Sequence, residues 1–213
     1  MNFKDLPNTI PIFPLSNFII FPEISVPLNI FEKRYLQMVD DSMKTNRLIG
    51  MIQPKKSSNA KKPEVYNIGC VGKITSFNET EDGRYLIAIN GLIRFKIINE
   101  IENNKLYREC TVNFKEYSKD LDKDFENIKN SDLEIVFKNL KTLFNKQGYT
   151  INWKDLEKKN VGQTINTLSM ASPFTLEEKQ MLLETIDLQS RKSKLSEILE
   201  TYVIDQFSNT TIQ

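Results

Sequence analysis

Prolines recur through the opening apolar stretch of this chain, in Pro11-Ile12-Phe13-Pro14-Leu15, in Phe21-Pro22 and in Pro27-Leu28-Asn29-Ile30-Phe31-Glu32-Lys33-Arg34-Tyr35. No other feature restricts the fold as strongly. Each proline removes a backbone donor and fixes φ, so within a sheet it belongs at an edge, a first position or a bulge. The intervening Ile, Phe, Val and Leu residues call for burial. The stretch therefore reads as an edge-strand scaffold, offering burial and strand pairing rather than chemistry.

Strand-like runs separated by turns continue to about residue 118. Val65 to Phe77 is β-rich with two internal glycines, Glu81-Asp82-Gly83 is a tight turn, and Arg84 to Ile89 is the returning strand. Asn90-Gly91 interrupts this run, which then resumes at once with polar residues at alternate positions, the pattern of a bulge at a barrel corner. Tyr107 to Phe114 supplies one more strand. A single helix is inserted from about Ile30 to Thr45, with Phe31, Tyr35, Val39 and Met43 as its apolar stripe, Asn29 as its N-cap and Glu32 completing a capping box. From residue 119 the spacing is helical. Ser131-Asp132-Leu133-Glu134 opens a helix that Gly148 ends, Thr164 to Ala171 stops before Pro173, and Thr175-Leu176-Glu177-Glu178 is a capping box leading into Met181, Leu182, Leu183 and Ile186. Ser190 starts the last helix, with Leu195, Ile198 and Leu199 on one face. The division expected is a β domain over residues 1–118 and a helical bundle over 119–213.

The chain has no histidine, which removes the commonest general base, the Ser-His-Asp and Cys-His arrangements and most zinc sites. Gly72-Lys73 lacks the flanking glycine and hydroxyl of a phosphate loop, and no G-x-G-x-x-G occurs. Asp40-Asp41 are helix neighbours pointing about 100° apart and read as solvated. Asp120, Asp122, Asp124 and Glu126 imitate a calcium loop, but Phe125 stands where that loop needs glycine and Ser131 where it needs glutamate, so they read as a solvated linker. Cys70 and Cys110 are isolated and read as reduced, buried thiols. No catalytic residue, metal site or cofactor is expected. Nor is a membrane segment or secretion signal, which points to the cytoplasm.

The proline run resembles the opening signature of the Lon-protease N-terminal, substrate-binding domain. Gly50-Met51, Gly69-Cys70-Val71-Gly72-Lys73-Ile74, Asp82-Gly83-Arg84-Tyr85-Leu86-Ile87 and Gly91-Leu92-Ile93-Arg94-Phe95 resemble later motifs of that domain in the same order. Ser172 to Gln180 and Asp187 to Arg191 resemble the helical part of stand-alone bacterial members. Two departures are local: Glu23 stands where the family has glycine, and Asn29 where it has histidine. The resemblance implies an α+β fold, a PUA-like β-barrel followed by a helical bundle. It also implies the recognition domain alone, without the ATPase and peptidase modules.

The function expected is non-enzymatic recognition of exposed polypeptide segments or of a partner protein. Edge strands cut by proline leave backbone groups unpaired, and these can accept an extended peptide. Phe13, Phe18, Phe21 and Phe31 are the peptide-binding candidates. The alternative is an RNA-binding module using the loop lysines Lys55, Lys56, Lys61 and Lys62, against which stand a net charge of +1 and the lack of interleaved arginine or aromatic residues.

Overall fold

The computed structural model describes residues 3–16, 18–55, 63–122, 128, 130–150 and 152–208. The chain forms an α+β fold of two compact units, Met1–Asp122 and Lys123–Gln213.

The described residues of the first unit form a mixed six-stranded sheet with one α-helix. Its strands are β1 (Thr9–Pro14), β2 (Ser25–Ile30), β3 (Leu48–Ile52), β4 (Ile68–Glu79), β5 (Tyr85–Ile101) and β6 (Arg108–Asn113), and α1 (Lys33–Met43) lies between β2 and β3. The order is β2-β5-β4-β3-β1-β6, and β5 also pairs with β6. Among the described residues only β1 and β3 pair in parallel. The core between the strands includes Ile10, Ile12, Phe21, Ile49, Ile74, Ile89 and Phe95, all but fully buried. The β4–β5 connection turns at Gly83, whose φ of 79° is one that glycine adopts without strain. Strand β5 runs straight through Asn90-Gly91, and the register slips there, from Val71 opposite Ile93 to Gly72 opposite Gly91, as a bulge requires.

Two of these strands carry prolines, for different reasons. Strand β1 is not an edge: it pairs with β3 on one side and β6 on the other. The Val112 N–H donates to the Asn8 carbonyl, so by the alternation of antiparallel pairs Ile10 and Ile12 face β6. Pro14 would face it too, but that ladder ends at Ile12 opposite Arg108. Pro11 faces β3, whose ladder begins one residue later, at Ile12 opposite Gly50. At each proline the missing N–H thus falls beyond the ladder it faces. Strand β2, by contrast, pairs only with β5 and is an edge among the described residues.

A strained turn leads into β2. The Ile24 N–H reaches the Phe21 carbonyl (3.3 Å) with Pro22 at the second turn position and Glu23 at the third, where φ is 64°. This is the type II pattern, which favours glycine at the third position. Glu23 occupies the left-handed conformation regardless, at a cost of roughly 1–2 kcal/mol. The Glu23 N–H bonds the Gly91 carbonyl (2.8 Å) and the Gly91 N–H bonds the Ile24 carbonyl (2.9 Å), so two residues oppose one in a bulge. A side chain at Gly91 would run into the Phe21 carbonyl, so the close approach requires glycine.

Helix α1 starts later than its sequence pattern implies. Asn29 lies within β2 opposite Leu86, so it is extended and caps nothing; Glu32 is the N-cap residue and makes no side-chain cap bond. Strand pairing to β5 overrides the local capping signal. Tyr35, Met38 and Val39 are buried, and Phe31, placed at the head of the stripe, is exposed. Asp40 and Asp41 are not simply solvated. The Tyr85 hydroxyl donates to Asp40 (3.0 Å) and the Tyr107 hydroxyl to Asp41 (3.0 Å). Their divergence on the helix lets one reach β5 and the other the loop before β6.

Asp120 also departs from the solvated reading. Its carboxylate accepts from the Arg94 backbone N–H (2.9 Å), Nε (2.8 Å) and Nη2 (2.7 Å), with both side chains buried and the guanidinium over the Tyr117 ring. This bidentate pair fastens the 3-10 segment Lys115–Leu121 to β5 and keeps it in the first unit. Asp122 is exposed, and Asp124 and Glu126 lie outside the described residues.

The second unit contains α2 (Glu134–Gln147), α3 (Trp153–Glu157), α4 (Val161–Ala171), α5 (Leu176–Glu184) and α6 (Leu188–Ser208). A 3-10 turn, Asn130–Leu133, precedes α2, so no side chain caps it, and Gly148 closes it at φ 71°. The Thr175–Glu178 capping box forms at α5, and Glu178 also accepts from the Tyr202 hydroxyl on α6 (2.8 Å), which ties the cap to a second helix. Leu182 and Leu183 are buried, whereas Met181 and Ile186 face outward. Met181 points about 100° away from Leu182 on the helix, and Ile186 lies beyond the end of α5.

Candidate functional site

The outer edge of β2 stands out among the described surfaces. Strand β4 occupies one edge of β5, and β2 and β6 lie end to end along the other. Because Gly91 bonds Ile24, the alternation carries on through the ladder: Val26, Leu28 and Ile30 turn their N–H and C=O groups toward β5, while Ser25, Pro27 and Asn29 turn theirs outward. Pro27 therefore removes an outward donor and no ladder bond, the position at which a strand tolerates proline. The exposed edge offers the N–H groups of Ser25 and Asn29 and the carbonyls of Ser25, Pro27 and Asn29. All three residues are exposed.

Apolar surface adjoins this edge. Phe31, immediately after β2, is 66% exposed, and Leu86, the register partner of Asn29, is 44% exposed. Asn29 and Leu86 also line a shallow cavity of about 420 Å³ with Thr80, Glu81, Asp82 and Arg84. Its charges are mostly compensated: Arg84 and Asp82 pair at 2.7 Å, and the Thr80 hydroxyl holds the Asp82 carboxyl below the usual carboxylate range.

The four candidate phenylalanines separate. Phe13 (5% exposed, its ring 4.2 Å from that of Tyr35) and Phe21 (fully buried) are core residues, which corrects their candidacy as contact residues. Phe18 is half-buried, and Phe31 alone presents most of its ring. Of the loop lysines, Lys55 is exposed and faces Glu64 at 3.6 Å; Lys56, Lys61 and Lys62 lie outside the described residues. Pro27, Asn29 and Leu86 were not singled out from sequence as site residues. The signal for Leu86 was its out-facing parity in an alternating strand, but strand pairing alone shows which edge is open.

A larger cleft of about 1010 Å³ lies between the end of β1, the start of α1 and the β5–β6 loop, with Pro14, Arg34, Tyr35, Leu106, Tyr107 and Arg108 in its wall. Its cations are matched: Arg108 bonds Glu100 through two nitrogens (3.1 and 2.7 Å), Arg34 pairs with Glu32 (2.7 Å) and Lys105 with Glu109 (2.8 Å). Burial raises the Tyr35 phenol above its ordinary range. This wall holds neither a nucleophile beside a base nor a cluster of uncompensated cations. Among the described residues no group of three or more His, Cys, Asp or Glu could hold a metal ion, and no helix is long and apolar enough to cross a membrane. Cys70 and Cys110 are both buried.

The family model described as the ATP-dependent protease La (LON) substrate-binding domain matches residues 9–201. The chain is 26% identical over 203 residues to a Lon protease of Dictyoglomus thermophilum, covering 91% of this chain and 24% of that protein, and 24% identical over 208 residues to one of Syntrophus aciditrophicus, covering 91% and 25%. It thus spans about a quarter of the length of these curated relatives. Among solved structures it resembles a Lon N-terminal domain protein from Xanthomonas campestris (TM-score 0.63, 19% identity, 90% of this chain and 97% of that one). It also resembles the N-terminal domain of the Mycobacterium avium complex Lon protease (TM-score 0.62, 14% identity, 90% and 98%).

Proposed function

Since the chain belongs to the Lon substrate-binding domain family, we propose that it is a non-enzymatic recognition module that binds exposed or unfolded segments of other proteins, or a partner protein displaying such a segment. The observation that carries this reading is the open edge of β2 beside the exposed rings and chains of Phe31 and Leu86. Exposed apolar surface next to unpaired backbone suits a ligand that is itself unfolded. The matched charges of the larger cleft support recognition over chemistry. The return of the pairing from β6 to β5 favours a PUA-like barrel for the first unit, and the helices beyond Asp122 a bundle for the second.

The test is a titration of a fluorescently labelled, reduced and carboxymethylated model protein against the purified chain. Binding is expected, and Phe31→Asp is expected to weaken it at least tenfold while the melting temperature stays within a few degrees, because that ring is not part of the core. If the wild-type chain binds neither this protein nor short apolar peptides, the recognition reading fails.

A further inference from the structure

We propose that the bound segment adds to the sheet as a new strand along the outer edge of β2, exchanging backbone hydrogen bonds with Ser25 and Asn29 and receiving only a carbonyl from Pro27. This inference rests on the recognition reading above and specifies how the ligand is held. It follows from the alternation already described: three outward carbonyls and two outward N–H groups, spaced every second residue, complement an extended backbone and no other common ligand. Strand β2 (Ser-Val-Pro-Leu-Asn-Ile) carries no charged side chain. An occupant laid on it meets no fixed charge between Glu23 and Glu32, so the fitting segment is uncharged, about six residues long, with an apolar side chain beside Phe31 and Leu86.

Pro27 also shows why the occupant is foreign rather than a second copy. Strands of two copies paired about a two-fold axis would both place Pro27 in a bonding position, so two donors would be missing. A foreign strand meets only one gap. The proline therefore leaves the edge available to other chains while weakening self-pairing, the means by which edge strands avoid aggregation.

The experiment measures binding of a fluorescein-labelled octapeptide of alternating valine and threonine with one phenylalanine, by anisotropy, to the wild-type chain and three variants. Asn29→Pro removes an outward donor without touching the β5 ladder and is expected to weaken binding about three- to tenfold, the worth of a hydrogen bond. Pro27→Ala restores a donor and is expected to tighten binding by a similar factor, and to promote dimers in sedimentation. Phe31→Ala removes side-chain contact. N-methylation of the peptide at successive residues is expected to weaken binding at alternate positions only. Strand addition is overturned if Asn29→Pro and Pro27→Ala both bind within twofold of wild type, or if N-methylation acts without alternation, while Phe31→Ala still weakens binding. In that outcome recognition stands and uses side chains alone. Absence of wild-type binding to both peptide and unfolded protein defeats the recognition reading itself.

Discussion

Strands β1 and β2 carry the same sequence signature and hold opposite places in the sheet. Both are short, apolar and interrupted by proline, yet β1 is paired on both sides and β2 on one. In β1 the missing N–H groups fall beyond the ends of the two ladders; in β2 the proline lies in mid-strand and faces away from its only neighbour among the described residues. A proline in a strand thus reports that one hydrogen bond is missing, not that an edge is present. What separates the cases is direction: the residue parity at which the proline falls, set against the side on which a partner exists.

The largest test of this contrast is in the core. Ile12→Ala in β1 is expected to lower stability by about 2–5 kcal/mol in urea unfolding, since Ile12 is fully buried. Phe31→Ala, just past β2, is expected to change stability by only about 0.5 kcal/mol. Similar losses from the two would show that the end of β2 is as structural as β1.

A second test stays within β2. Val26→Pro removes an N–H that faces β5 and leaves a buried carbonyl unpaired, a loss of roughly 1–3 kcal/mol beyond any packing defect. Asn29→Pro removes one that faces outward and is expected to lose less than about 1 kcal/mol. If the order is reversed, the assignment of inward and outward residues is wrong.

A third test uses pH. Burial raises the Tyr85 phenol above its ordinary value, and donation to Asp40 raises it further. Burial likewise raises Tyr107, which donates to Asp41. Protons are held more tightly in the folded state, so these anchors contribute fully below the unfolded phenol pKa of about 10 and are lost as pH rises through the elevated values. Tyr202, pushed up to about 12 by burial and Glu178, adds a slope of the same sign in the second unit. Melting curves between pH 8 and 12 are expected to slope less steeply in Tyr85→Phe, on the strand that pairs with β2, and in Tyr107→Phe, beside the strand that pairs with β1. Unchanged slopes would remove the tyrosine anchors from the account.

The smallest effect is expected at the entrance to β2. Glu23→Gly relieves a left-handed residue but loosens the unfolded chain, for a net gain of no more than about 1 kcal/mol in thermal unfolding.

Much of this organisation was legible in the residues. The Gly83 turn, the bulge near Asn90-Gly91 and the Thr175–Glu178 cap depend on interactions a few residues apart, and local chemistry decided them. Asn29 was misread because its capping pattern competes with a ladder to Leu86, 57 positions away and invisible to spacing. Asp120 was misread because its partner, Arg94, is also distant in the chain, 26 positions away. The candidate site was half legible for the same reason. Proline, phenylalanine and an edge strand could be named, but nothing local distinguishes the buried ring of Phe21 from the open one of Phe31.

The adjacent acids of α1 have a mechanical consequence. A rod held at a single point along its length can still roll about its own axis. Held by Tyr85 from β5 and by Tyr107 from the loop before β6, through neighbouring residues that diverge around the helix, α1 has lost that rotation. Phe31 lies two residues before this helix, so its orientation is inherited from a body that cannot turn, and a ligand meeting that ring has little left to immobilise.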